Sequence, residues 1–205
     1  MGRNTIDADV VLLVEGSDDI FVAGLLLDNI SPTWRTKVDV QEVAQMGGYS
    51  QRLIALATLP NFKNRVTKVA VLVDSDNRPA EKAVLWAEEK MRFEQVNPTV
   101  QLVCLIVPSP TTNGALESVF LQSLQPDNAS IACVLALNDC LAGHTRHSTQ
   151  AQKDKFALMT YINSRVKNPY SRIGYALTQD ARDLFDFKHP AFKPLVEFLE
   201  SLIHV

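Results

Sequence analysis

Cysteine is scarce in this 205-residue chain: Cys104, Cys133 and Cys140 are odd in number and widely spaced. They make no disulfide framework, and a reducing cytoplasm is the expected compartment. Charge of one sign is also lacking, with 20 Lys and Arg against 23 Asp and Glu and a net of −3. This excludes holding nucleic acid by bulk positive charge, so any polyanion must be gripped locally or through metal counter-charges. Long hydrophobic runs are missing too. The longest uncharged stretch, residues 95–116, is broken by Pro98, Pro108 and Pro110. Only residues 100–107 of it are strongly apolar, and a membrane helix needs roughly 20 such residues. The first apolar run, residues 10–14, follows Asp7 and Asp9 and is too short for a signal-peptide core. Ile6 stands where a myristoylation signal has Ser or Thr. There is no internal repeat or low-complexity segment. Neither Gly-x-x-x-x-Gly-Lys-Ser/Thr nor Gly-x-Gly-x-x-Gly occurs, so nucleotide cradling of those kinds has no support.

What is present is ordinary globular composition, 46% hydrophobic and 21% charged, at a length that fits one domain or one domain with an extension. Residues 10–14, 69–73 and 100–107 are continuous, β-branched-rich apolar runs, the signature of strands buried on both faces. Val38 and Val40 alternate with Asp39 and Gln41, which predicts a half-exposed edge strand. Helical stretches separate these runs. One covers about residues 18–27, with Ile20, Phe21, Val22 and Leu25 as its apolar face; another follows Gly47-Gly48 and carries Leu53, Ile54, Leu56 and Ala57. A third starts at Pro79, with Ala83, Val84, Ala87 and Met91 as its stripe. The alternation predicts βαβ units and a parallel, Rossmann-like α/β sheet of four strands covered on both sides. After Gly114 helical periodicity takes over, through residues 152–166 and 190–203. The expected organisation is an α/β domain over 8–125 with a helical extension over 126–205 packed on it.

The chemistry gathers at the strand ends, where open α/β sheets place their ligands. The first buried strand ends in Glu15, followed by Asp18 and Asp19; the second ends in Asp74-Ser75-Asp76. Residues i and i+2 share a side, so Asp74 and Asp76 aim together if the extended geometry persists past Val73. Glu15 faces the same pocket if the two strands are neighbours. Three carboxylates without basic partners repel one another unless a divalent cation compensates, and hard oxygen donors suit Mg²⁺ or Mn²⁺. The plain alternative is that such acids form turns and caps, with Ser17 or Asp18 capping the following helix. Zinc at Cys140, His144 and His147 has no paired-cysteine motif behind it. A haloacid-dehalogenase phosphatase needs its nucleophilic acid after the first strand, and a receiver domain needs paired acids there, where this chain has Glu15-Gly16.

A strand ending in Val14-Glu15-Gly16 with a later strand ending in Asp74-Ser75-Asp76 resembles the toprim domain, the catalytic module of topoisomerases, bacterial primases and nucleases of the overcoming-lysogenization-defect type. The spacing Glu15-x-x-x-Asp19 is similar to the form in those nucleases, and Gly114-Ala115-Leu116-Glu117 is similar to an element that follows the fourth strand in small stand-alone toprim proteins. The resemblance covers about residues 8–125, and the tail around Lys153-Asp154-Lys155 resembles the C-terminal part of the same small proteins. It implies a toprim fold and metal-dependent phosphoryl transfer on nucleic acid. Glu15, Asp74 and Asp76 would hold Mg²⁺ or Mn²⁺, with Asp19 and Glu117 completing the site. Glu15 would double as general acid or base, and Lys155 would neutralise developing charge. Backbone N–H groups of Gly16 and Ser17, at a helix start, would receive a phosphate oxygen. The large DNA-gripping domains of topoisomerases and primases have no counterpart here, so nucleic acid is expected to bind weakly to the chain alone. The other reading is a non-catalytic subunit acting with a separate ATPase or nucleic-acid-binding protein.

Overall fold

A computed structural model describes residues 6–43, 48–124, 129–141 and 149–204. Four strands form one sheet: β1 (Val10–Val14), β2 (Val38–Glu42), β3 (Lys68–Asp74) and β4 (Gln101–Val107). Their order is β2-β1-β3-β4 and every pairing is parallel. Between them run α1 (Ser17–Ile30), α2 (Tyr49–Ala57), α3 (Phe62–Arg65) and α4 (Pro79–Val96). The C-terminal part adds α5 (Leu116–Ser123), α6 (Ala129–Leu141), α7 (Gln150–Asn163), α8 (Ile173–Thr178) and α9 (Lys193–Ile203). This is the Rossmann-like α/β architecture the apolar runs imply, with β2 at an edge as its alternating pattern requires.

Strand alternation divides the core into two layers. Val10, Leu12 and Val14 pack with Ala70, Leu72 and the buried faces of α1, α5, α7 and α9. Val11 and Leu13 pack with Val69, Val71, Val73 and residues of α2, α3 and α4, including Leu53, Phe62 and Phe93. The C-terminal helices thus share the first layer with β1 and β3. At its centre Phe120 meets Phe185 and Phe192 edge-on, each at 5.0 Å between ring centroids.

Helix α1 departs from its expected apolar face at Phe21, and α4 buries another row than its sequence suggests. In α1 the buried residues are Val22, Ala23, Leu26 and Leu27, while Phe21 is exposed. Phe21 instead lies against Gly174 of α8, where a Cβ would meet the ring carbon at 2.9 Å. In α4, Val84 and Met91 are 60% and 66% exposed and only Phe93 is buried. The row Lys82-Trp86-Phe93 faces the sheet, which places a lysine where an apolar residue is expected.

Candidate functional site

Parallel pairing sends the C-terminal ends of β1 and β3 to one edge. Extending the register Leu13↔Val71 by two residues places Glu15 level with Val73, one step short of Asp74. The two acids are therefore neighbours, and the Asp74 backbone hydrogen-bonds the Glu15 carboxylate. Alternation then gives them different surroundings. Asp74 continues the row of Ala70 and Leu72 toward α1 and α5, while Glu15 continues the row of Val11 and Leu13 toward α2 and α4.

The α1/α5 side holds Asp74, Asp19 and Glu117. Burial raises the Asp74 carboxyl well above its ordinary range, and the charges of Asp19, Glu15 and Glu117 raise it further. Its Oδ1 accepts the Leu116 N–H at 2.9 Å, which fixes it at the start of α5. Asp19 and Glu117 are likewise pushed up, chiefly by burial, with Lys155 pulling both back. The Lys155 ammonium stands 3.8 Å from Glu117 Oε1 while half exposed. It arrives there because α7 is clamped to α5 one residue away: the buried Ser118 hydroxyl donates to Asp154, whose other oxygen accepts Gln150 Nε2 at 2.7 Å.

The α2/α4 side holds Glu15 and Asp76 around Lys82. Extended geometry runs through Asp74 but does not persist to Asp76, which has φ of 51° and forms an antiparallel bridge with Gly114 through hydrogen bonds of 2.7 and 2.8 Å. Beneath the turn, the buried Ser75 hydroxyl donates to Thr112 O at 2.6 Å. The turn swings the Asp76 carboxylate away from Asp74's partners and onto Lys82 Nζ at 2.7 Å. The same ammonium donates to the Asp74 carbonyl at 2.5 Å and lies 3.9 Å from Glu15. Glu15 is raised mainly by burial, with Lys82 opposing and Asp76 and Asp19 adding. Tyr49 closes this side from below, donating to Leu72 O at 2.6 Å; burial and the acids around it hold its hydroxyl protonated.

At the helix start, side-chain partners take up one of the groups the sequence offers. The first helical residue follows Gly16, and the Gly16 N–H is taken by Asp19 Oδ2 at 2.9 Å. Gly16 is thus engaged rather than open to a phosphate oxygen. Neither Ser17 nor Asp18 caps α1: both accept from Arg172, which precedes α8, and Asp18 also accepts the Gly174 N–H at 3.2 Å. Among the described residues, no three His, Cys, Asp or Glu are gathered as a metal site. Cys140 is exposed, while His144 and His147 lie outside the described residues. The Cys104 thiol, pushed up to about 12 by burial against the pull of Lys82, is no nucleophile.

The donor set nonetheless suits a hard divalent cation in kind. It consists of carboxylate oxygens, with Glu15 and Asp74, each raised by burial and by neighbouring acids, on adjacent strands as the junction of the two sides. The fold and the edge define an α/β protein with an acidic site outside the carboxyl ends of a parallel sheet. The chain belongs to a family of proteins of unknown function, DUF3226, whose sequence profile matches residues 9–204. No curated protein and no solved structure matches it. Lys82, Arg172, Tyr49 and Ser118 are the residues of this edge that the motifs do not mark, and Asp154 enters them only within Lys153-Asp154-Lys155. A weak signal existed for Lys82 alone, since it lies within the first turns of the helix that Pro79 opens.

Proposed function

We propose that this chain is a metal-dependent phosphoryl-transfer enzyme of toprim type, a nuclease cleaving nucleic-acid phosphodiesters. The observation that carries the reading is the adjacency of Glu15 and Asp74 at the sheet edge, with Asp19 and Glu117 close enough to raise the Asp74 carboxyl. Glu15, Asp74 and Asp76 would hold Mg²⁺ or Mn²⁺, with Asp19 and Glu117 flanking. Such an ion lowers the pKa of an attacking water and stabilises charge on the transferring phosphoryl group. The chain's own residues supply the rest. Glu15, its proton affinity raised by burial, suits transfer of a proton to or from the attacking water or leaving oxygen. Lys155, half exposed beside Glu117, would meet a phosphate oxygen entering from solvent. The three free cysteines fit the cytoplasm, and no helix among the described residues is long and apolar enough to cross a membrane.

The test is incubation of the purified chain with supercoiled DNA and with single-stranded RNA in Mn²⁺, read for nicks. Cleavage abolished by EDTA and by Asp74→Asn supports the reading; intact substrates across both polymers overturn it. A second reading, a non-catalytic subunit acting with a separate ATPase or nucleic-acid-binding protein, is favoured by one observation: Lys82 already neutralises part of the edge. Nicking that appears only on adding such a partner supports that alternative.

A further inference from the structure

The carboxylates on the α2/α4 side already have a cation. Lys82 Nζ stands 2.7 Å from Asp76, 3.9 Å from Glu15 and 2.5 Å from the Asp74 carbonyl, so the Asp76 and Glu15 carboxylates and the Asp74 backbone meet at one ammonium, while the Asp74 carboxylate stays with Leu116 on the other side. Its side chain is only 18% exposed, in contrast to Lys155, which is 52% exposed on the other side. The placement is built in at three levels. Lys82 lies on the sheet-facing row of α4; its N–H bonds Arg78 O at 3.0 Å, in the helix's first turns. The left-handed turn at Asp76, tied to Gly114, aims that carboxylate at it.

We propose that Lys82 is the resident counter-cation of the site, which a divalent ion must displace from Glu15 and Asp76 before it binds. The inference rests on the metal-site reading above and adds its regulation: Lys82 sets the concentration at which the ion enters. The physical argument is competition for the same oxygens. An ammonium and a divalent cation cannot both sit within ligand distance of one carboxylate pair without strong repulsion. The apparent affinity of the ion is therefore its intrinsic affinity scaled by the fraction of molecules in which Lys82 has swung out. If that fraction is about one tenth, removing the ammonium tightens binding about tenfold. The flexible four-carbon stem of lysine makes the swing possible, where the rigid guanidinium fork of arginine restricts it.

Two measurements decide it. Titration calorimetry with Mn²⁺ is expected to give a Kd about tenfold tighter for Lys82→Met than for the wild type, and no tightening for Lys82→Arg. A Kd for Lys82→Met equal to or weaker than that of a wild type that does bind removes the displacement while leaving the metal site intact. No Mn²⁺ binding by either protein overturns both. The second measurement needs no variant, so a misfolded Lys82→Met does not stall the test. Brief treatment of the wild type with acetic anhydride, read by mass spectrometry, reports which amines are open. Saturating Mg²⁺ is expected to raise Lys82 acetylation severalfold relative to Lys68, which lies at the far end of β3. An unchanged ratio in a protein that calorimetry shows to bind Mg²⁺ overturns the proposal. A structural lysine that merely holds α4 to the sheet changes neither readout.

Discussion

Lys82 Nζ donates to Asp76 Oδ2 at 2.7 Å, and the carboxylate reaches it only because Asp76 has φ of 51°. L residues in that left-handed region are strained by roughly 1–2 kcal/mol, and asparagine and aspartate tolerate it best. Asp76→Asn and Asp76→Ala both remove the charge from Lys82, but only the alanine adds backbone strain. The expected result is that Asp76→Ala is less stable than Asp76→Asn by about 1 kcal/mol in urea unfolding. Equal stabilities rule out the turn geometry as the source of Asp76's placement.

The acids set a pH dependence whose sign is fixed. Glu15, Asp19, Asp74 and Glu117 all have folded pKa values raised above the ordinary 3.8 to 4.5. The folded chain then binds more protons than the unfolded chain, so stability falls as pH rises. Their favourable contribution is full below the ordinary values and is lost as pH climbs through the raised ones. Asp28, held below its ordinary value first by its hydrogen bond from Arg35, runs the other way, its contribution disappearing as pH drops below 3.8. In EDTA, the melting temperature is expected to decline as pH rises above the ordinary carboxylate range of 3.8 to 4.5, and Asp74→Asn is expected to flatten that decline. A wild-type profile that rises over the range contradicts the raised values.

Much of the scaffold was legible because apolar runs and their ends are local signals. Residues 10–14 and 69–73 could only be buried strands, and Glu15 and Asp74 end them, so the pairing of β1 with β3 brings the two acids together without further information. The rest depends on contacts that periodicity does not carry. Asp74 and Asp76 are separated by a turn whose positive φ leaves no pattern in Asp-Ser-Asp-Asn. A lysine on a helix reads as surface, and the apolar stripe of α4 concealed that its sheet-facing row includes Lys82. Arg172 reaches Asp18 across 154 residues of chain, a distance at which only the tertiary fold sets the partner.

The Ser118–Asp154 bond offers a separate test of how the C-terminal helices position Lys155. Both groups are buried, and Ser118 Oγ also accepts the Ala115 N–H at 3.0 Å. Ser118→Ala strips one partner from a buried carboxylate, an exchange that costs about 1–3 kcal/mol. Asp154→Ala removes the charge together with its need for partners. A double-mutant cycle is therefore expected to show coupling of about 0.5–3 kcal/mol, with the double variant more stable than the two single losses predict. Additive losses mean that the two side chains do not act as a unit.

The proposed chemistry ranks Asp74 and Glu15 above Lys155. Asp74 is anchored by the Leu116 N–H and surrounded by Glu15, Asp19 and Glu117, whereas Lys155 approaches Glu117 from solvent. Loss of a metal ligand forfeits several kcal/mol of transition-state stabilisation, at about 1.4 kcal/mol per tenfold in rate. Asp74→Asn and Glu15→Gln are thus expected to lower Mn²⁺-dependent cleavage by about a thousandfold or more. Lys155→Met would remove one exposed contact proposed for the phosphate and is expected to cost only about tenfold. Circular dichroism is expected to be unchanged in all three, since each side chain lies at the edge and not in either core layer. Activity of Asp74→Asn within about threefold of wild type, less than the loss of even one ligand allows, places the cleavage elsewhere, in a contaminant or at another site.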